Sequence, residues 1–189
     1  MKPHWIYLQY VLRHKWYVFQ ECLKYGLIWE GIVHDLSKFR PSEWFPYVEF
    51  LYGMQVGKRV FGTADNAPFD GVIVEIRDLE GYRYKVRHDS NGKAFWMGDW
   101  EISRVAEKQA FIKACQLHYD RNPHHWNHWV KGGKPSEMPL KLALEMVCDW
   151  KAVSRDKGTD PVEWYLEQSN KLILHWRTRL IIEHELGVN

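Results

Sequence analysis

Trp29-Glu-Gly-Ile-Val-His-Asp-Leu-Ser-Lys-Phe39 sets a histidine and a carboxylate, His34 and Asp35, side by side in an otherwise apolar run. An ionisable group in an apolar interior is strongly unfavourable unless something binds it. For a His-Asp pair the usual binder is a divalent metal. Matching ligands stand elsewhere in the chain: His14, His118, the patch Asn122-Pro-His-His-Trp-Asn-His-Trp129, and Asp149.

Outward from this run the pattern is helical. Over residues 3–25 the apolar positions Tyr7, Tyr10, Val11, Tyr17 and Val18, with His14 among them, recur at spacings of three and four and so share one helix face. Gly26 is placed to end that helix. Residues 29–39 read as a second helix, and Ser42 as the N-cap of a third that reaches Tyr52. At Gly53 the period changes from helical to two. Val56–Phe61, Gly71–Arg77, Tyr82–His88, Ala94–Met97 and Glu101–Val105 are the expected strands, with Asp89-Ser-Asn-Gly92 as a turn. Helical spacing then returns over 105–120, with Phe111, Ala114, Cys115 and His118 on one stripe. Asn122 is the expected N-cap of a helix with Pro123 in its first position. Residues 131–137 form a loop, Pro139 opens a helix to about Lys157, and Pro161 opens a last one to about Glu185.

The expected fold is mainly α, with a discontinuous helical metal-binding domain over 1–53 and 105–189. A small SH3-like β-barrel insertion covers 54–104. At 189 residues the chain can build a core plus a small module. Its 46% apolar and 26% charged residues are those of an ordinary soluble globular protein. A net charge of +2 excludes an argument for nucleic-acid binding from bulk electrostatics. Eleven Trp residues fill a small core or wall a pocket. Cys22, Cys115 and Cys148 show no paired spacing, which predicts reduced, buried thiols. With no membrane-length apolar run and no signal-peptide core, the expectation is a cytoplasmic protein.

Four separate helices thus aim a His or Asp inward, the way metal sites in helix bundles are assembled. Imidazole and carboxylate ligands together suit Mn, Zn, Fe or Ni better than Mg alone. His14, His34, Asp35, His118 and Asp149 could fill one site, and His124 or His125 would supply enough ligands for two ions. Two ions about 3.5–4 Å apart clamp a phosphate and activate a water, and Asp35 is the natural bridge. Lys38, three residues after Asp35, is placed to steady a phosphoryl oxygen or simply to pair with a carboxylate. Glu145, one turn before Asp149, is a candidate to hold a ligand histidine from outside, or is an exposed helix residue. His128 is expected outside the ligand set or packed on aromatics. His4, His88, His175 and His184 have no motif context. In the strand segment, Arg77, Arg83, Lys85 and Arg87 alternate with Tyr82, Tyr84, Phe95 and Trp96. That pattern fits a single-stranded nucleic-acid surface and, equally, any half-buried strand.

The order His14, His34-Asp35, Asp149 resembles the H…HD…D signature of the HD-domain metal-dependent phosphohydrolase superfamily. His34-Asp-Leu-Ser-Lys38 resembles the HD-x-x-K form of cyclic-dinucleotide phosphodiesterases, and His124-His125 their paired histidines, without the downstream GYP. The runs Arg13–Trp16, His34–Phe39, Asn122–Trp126 and Glu145–Trp150 are similar to an uncharacterised HD-like family found in phages and bacteria. The resemblance implies an all-helical domain with one or two divalent ions (Mn, Zn, Fe, Ni or Mg), hydrolysing a nucleotide or other phosphate ester inside a bacterial or phage-infected cell. It covers 1–52 and 105–187 and leaves the strand segment unexplained. Two alternatives stand beside it: a non-catalytic binding protein whose insert engages nucleic acid or a protein, and a di-iron HD-type oxygenase.

Overall fold

A computed structural model describes residues 3–64, 67–77, 83–98 and 102–188. The chain divides into two compact units, one formed by Met1–His4 and Phe45–Lys113, the other by Trp5–Trp44 and Ala114–Asn189. The fold is mainly helical with a small antiparallel sheet. In order it runs α1 (Pro3–Lys24), α2 (Ile28–Val33), a 3-10 turn (Leu36–Phe39), α3 (Pro41–Tyr52), β1 (Arg59–Ala64), β2 (Ala67–Ile76), β3 (Tyr84–His88), β4 (Ala94–Met97) and α4 (Val105–Arg121). A second 3-10 turn (Trp126–Trp129), the short hairpin β5 (Val130–Lys131) and β6 (Lys134–Pro135), α5 (Leu140–Lys157), α6 (Pro161–Gln168) and α7 (Trp176–Leu186) follow. Among the described residues no helix is long and apolar enough to cross a membrane.

The first unit holds the sheet. Its strands form an antiparallel meander, β1-β2-β3-β4, with Arg59 opposite Val72, Gly71 opposite His88 and Tyr84 opposite Met97. On β2 burial alternates, with Phe69, Gly71 and Ile73 facing inward, as period two requires. Val60, Phe69, Ile73, Tyr84, Val86, Met97 and Ile102 make the core. The expected strand beginning at Val56 starts only at Arg59, because residues 56–58 turn through Gly57. Tyr82 and Glu101, the expected strand starts on either side of β4, lie outside the described residues. Beyond β4 the expected fifth strand is reduced to a single bridge, Ile102 to Gly62. No closed barrel forms among the described residues.

The second unit is built around α5, which buries residues on nearly every side. Met146, Val147 and Trp150 join Tyr165 of α6 and Ile182 and Leu186 of α7 in one cluster. Cys148 and Ala152 pack against Val18 and Cys22 of α1 in another. A helix buried all round is a core helix, so a carboxylate on it needs a specific partner. α1 stops at Gly26 in the left-handed conformation, and Leu27 N donates to Cys22 O, closing the helix end. α2 then returns so closely that a Cβ on Gly31 would stand 3.1 Å from Cys22 Cβ and 3.2 Å from Phe19 Cα, which is why glycine occupies that turn.

Several expected helix boundaries differ, each for a local reason. The helix expected over 29–39 breaks at His34-Asp35. Ser42 does not cap α3, which begins one residue earlier at Pro41, and the Ser42 hydroxyl instead accepts from Arg121. No helix starts at Pro123: Asn122 donates its amide nitrogen back to Ser37 Oγ and the His118 carbonyl, and the 3-10 turn Trp126–Trp129 follows. Residues 131–137 hold a two-stranded hairpin rather than a plain loop. The helix expected over 161–185 is two, and Arg179 donates to the carbonyls of Ser169 and Leu172 in the gap. None of the three cysteines is in a disulfide; Cys22 and Cys148 are buried and Cys115 is half-buried.

Candidate metal centre

The centre starts from a break in the chain. On a continuous helix His34 and Asp35 would point about 100° apart. Instead α2 ends at Val33 and Asp35 takes φ 54, ψ 25, the left-handed conformation. It is the one non-glycine residue with positive φ among the described residues. For an L-residue this costs on the order of 1 kcal/mol, and Asp is among the few that tolerate it. The break lets both side chains face the same interior point. It is held from outside by Lys15, whose ammonium donates to the carbonyls of Ile32 and His34, the groups left open by the end of α2. Residues 36–39 then wind as a 3-10 turn in which positions three apart eclipse, so Lys38 returns over Asp35. Lys38 Nζ sits 2.6 Å from Asp35 Oδ2.

His14, His34, Asp35, His118, His124 and Asp149 are all at most 7% exposed, and His125 is half-buried. They gather on both sides of Asp35. On one side, His14 Nε2 is 3.1 Å from Asp149 Oδ1 and 3.8 Å from Asp35 Oδ2. His34 Nε2 is 3.5 Å from Asp35 Oδ2 and 3.7 Å from Asp149 Oδ1. On the other side, His118 Nε2 and His124 Nε2 each lie 3.3 Å from Asp35 Oδ1, and His125 Nε2 lies 4.0 Å from it. Atoms bound to one ion at roughly 2.0–2.2 Å stand about 3.0–3.5 Å from one another, so these spacings fit shared coordination. The sets His14-His34-Asp149, His34-Asp35-His124, Asp35-His118-His125 and His124-His125-Asp149 each bring their ligand atoms within 4.8 Å and could hold a metal ion.

The donor set itself asks for one. Nε2 of His14, His34 and His124 and Oδ1 of Asp35 are buried with no partner in hydrogen-bond geometry, and Asp35 Oδ2 is met by the Lys38 ammonium. Native interiors leave few such atoms, and an ion is a standard explanation. The opposite ring nitrogens of His34, His124 and His118, by contrast, are fixed, whereas His14 Nδ1 is buried without a hydrogen-bond partner. Glu145 Oε1 lies 3.0 Å from His34 Nδ1 and 3.2 Å from His124 Nδ1. Glu43 Oε2 lies 3.0 Å from His118 Nδ1. Carboxylates behind ligand histidines set the tautomer and aim the free nitrogen at the metal. The Tyr10 ring stacks on His14 at 6.1 Å and 11°.

Electrostatics follow the same division. Burial alone would lift Asp35, but His34, Lys38, His124 and His118 hold its carboxyl well below the usual range. Asp149 is likewise held low against burial by His14 and His34. Burial opposes a charge on His34, yet Asp35, Asp149 and Glu145 outweigh it and push the imidazole up to about 10. His125, with burial and His124 both acting downward, is held well below its ordinary value and stays neutral. In the bare protein, protons thus occupy nitrogens that a cation would otherwise take.

The structure brings together His14, His34, Asp35, His118, His124, His125 and Asp149, with Lys38 and Glu145 in contact. Both His124 and His125 reach the centre, since residues 123–124 turn and His125 is extended (φ -84, ψ 133), so the pair keeps neither helical nor strand side-chain spacing. His128 does not: it packs on Trp129 at 5.5 Å, and its Nδ1 meets Tyr119 O. Glu43 is the residue that sequence reasoning missed. It is fully buried and joins Ser37, His118 and Arg121. The signal was the spacing His118-Arg121-Asn122, three and four apart on one helix face, which calls for an acceptor opposite. Glu43→Gln keeps the volume and removes the charge. We expect it to weaken metal retention on the His118 side about 10–100-fold, as loss of such outer partners does. Elemental analysis after dialysis against graded chelator reads this; unchanged retention would leave Glu43 a purely structural residue.

Comparison with known proteins gives little about chemistry. A 52-residue stretch is 35% identical to a glutamine-hydrolyzing GMP synthase of Candida glabrata, covering 26% of this chain. The match spans only 10% of that protein's length. No solved structure matches the chain. Over residues 3–66 and 75–188 the sequence fits one family throughout, and the chain belongs to that family, the family of unknown function DUF5662.

Proposed function

We propose that the helical unit is an HD-like domain that holds two divalent cations and hydrolyses a phosphate ester, nucleotides included. One observation carries this reading: the two oxygens of Asp35 face two different sets of buried imidazoles, and Oδ1 lacks a hydrogen-bond partner while Oδ2 is met by the Lys38 ammonium. A carboxylate so placed is suited to bridge two ions, with His14, His34 and Asp149 on one side and His118, His124 and His125 on the other. The mixed imidazole and carboxylate set favours Mn, Fe, Zn or Ni over Mg. Divalent ions there would polarise a phosphoryl oxygen and lower the pKa of a bound water.

The chain's own groups supply the rest. Glu145 and Glu43 keep the ligand nitrogens aimed inward. Burial opposes the charge on Lys38, but Asp35 outweighs it and keeps the ammonium protonated, so it offers positive charge to a phosphoryl oxygen beside Asp35. In the net reaction the oxygen of water bonds to phosphorus, the ester P–O bond breaks, and the departing alkoxide takes up a proton. In the other unit Arg59 pairs with Asp89, and Arg77 and Lys85 pair with Glu75, so a nucleic-acid surface on the strands gains no support.

The test is elemental analysis and native mass spectrometry of the purified protein, then a screen of nucleotides and cyclic nucleotides with Mn, Zn, Fe, Ni and Mg. Up to two ions per chain and phosphate release abolished by chelator are expected. Oxygen consumption by an iron-loaded protein without hydrolysis would favour the oxygenase alternative, and a protein that holds no metal would sink both.

A further inference from the structure

A cavity of about 250 Å³ opens beside the centre within the helical unit, and His125 and Asp149 form its inner end. We propose that this cavity binds one flat, hydrogen-bonding aromatic ring of the substrate's alcohol portion; the substrate assignment rests on the phosphohydrolase reading above. Three observations carry it.

The first is the wall. Trp126, Trp150 and Trp164 line the space, with Tyr119 beside them. Trp150 and Trp164 meet edge to face at 5.0 Å, which fixes the indole planes. Rigid indole faces take up a flat ring at small entropic loss, and base–aromatic stacking is worth about 1–3 kcal/mol. The second is the shape. Asp149, Val153 and Lys157 all line the cavity from one stripe of α5. Eight residues at about 1.5 Å each put Lys157 roughly 12 Å from Asp149, a phosphorus-to-ring span rather than a phosphate alone. The volume falls below the roughly 300–1,000 Å³ of pockets that enclose drug-sized ligands, so it admits one ring system and not two. The third is the polar inventory. Asn127 and Lys157 line the cavity, and among the described residues neither side chain has a hydrogen-bond or ion-pair partner. An amide with donor and acceptor free toward a cavity reads the edge of a heterocycle.

Two sources share this chemistry, a nucleobase and a plain aryl group, and the free Asn127 favours the first. Tryptophan fluorescence titration of the full chain, stripped of metal and again loaded, separates them. The probes are adenosine, adenosine 5′-monophosphate, ribose 5-phosphate, phenyl phosphate and cyclic di-adenosine monophosphate. Adenosine 5′-monophosphate is expected to bind at least tenfold more tightly than ribose 5-phosphate, and adenosine to keep measurable affinity without metal. Asn127→Ala, at a half-buried position with nothing to lose inside the fold, should weaken adenosine several-fold and leave phenyl phosphate unchanged. Equal affinity for the monophosphate and ribose 5-phosphate would overturn the ring pocket. Phenyl phosphate binding as tightly as the monophosphate would overturn the recognised edge, and cyclic di-adenosine monophosphate doing so would overturn the one-ring limit. A protein that takes up no metal on loading yet still prefers adenosine keeps the pocket and loses the phosphohydrolase reading. A metal-loaded protein that hydrolyses ring-bearing and ringless esters equally well keeps that reading and loses the pocket.

Discussion

Asp35→Asn should reduce the protein from two bound ions to at most one and cut phosphate-ester hydrolysis by more than about 100-fold, beyond the roughly 10–100-fold typical of outer partners. Asparagine is the informative replacement. It keeps the shape of the side chain and tolerates the left-handed backbone at φ 54, so the break between α2 and the 3-10 turn survives. What it removes is the charge and one of the two equivalent oxygens. Asp35 Oδ1 is within 3.3 Å of His118 and His124, and Oδ2 within 3.8 Å of His14 and His34, so the two halves lose their common ligand together. Lys38, 2.6 Å from Oδ2, would also lose its counter-charge. Asp149→Asn gives the contrast: among the described residues Asp149 forms ion pairs with His14 and His34 and none with His118 or His124, so one ion should remain. Metal content by elemental analysis, with far-UV circular dichroism to confirm folding, checks both. Two ions retained in a folded Asp35→Asn protein would remove the bridging role.

The residues at this site were legible to different degrees, and the difference is physical. His14, His118 and Asp149 stand on long helices whose apolar period shows which way each points, and the structure buries all three. His34 and Asp35 were visible as an unlikely pair, but not how they converge, because a left-handed Asp leaves no mark that a helical pattern would reveal. The same limit hid the contribution of both His124 and His125. Asn122, read as a helix cap, instead donates its amide nitrogen back to Ser37 Oγ and the His118 carbonyl, a tertiary contact the sequence does not show. Glu43 looked like an ordinary acid in the first turn of a helix, a favourable place for one on dipole grounds alone. Its burial against His118 and Arg121 is a tertiary fact, drawn from residues more than seventy positions away. In the strand segment the two-residue period located β2, β3 and β4, since inward and outward faces alternate. Closure into a barrel depends on edge pairing, which that period does not encode, and among the described residues beyond β4 a single bridge, from Ile102, reaches β1. The gap between α6 and α7 holds no proline or glycine over residues 169–175 and carries Leu172, Ile173 and Leu174, and so looked continuous. Arg179, donating to carbonyls in that gap, is what the spacing could not reveal.

Removing the metal should lower the melting temperature of the helical unit by roughly 8–16 °C per ion. A ligand present at 1,000 times its Kd stabilises by about 4 kcal/mol, and each kcal/mol shifts a chain of this size by about 2–4 °C. The bare state is poor for a specific reason: the Nε2 atoms of His14, His34 and His124 and Oδ1 of Asp35 would stay buried without hydrogen-bond partners. Protons are the only alternative occupants, and this fixes the direction of the pH dependence. Burial disfavours a charge on His34, yet the surrounding carboxylates raise it from 6.5 to about 10, and they raise His124 as well. A raised folded-state value means that the protonated form stabilises the bare protein fully below about 6.5 and progressively less as pH climbs toward 10. Metal needs the same nitrogens unprotonated, so its contribution runs the opposite way and grows over that window. The melting difference between metal-loaded and chelator-treated protein should therefore be small near about pH 6 and widen by about pH 8.5, within the range where histidine charge is adjustable. Scanning calorimetry at both values measures it. A melting temperature indifferent to chelator at both would mean that protons and side chains alone satisfy this cluster, and the two-cation reading would fall with that result.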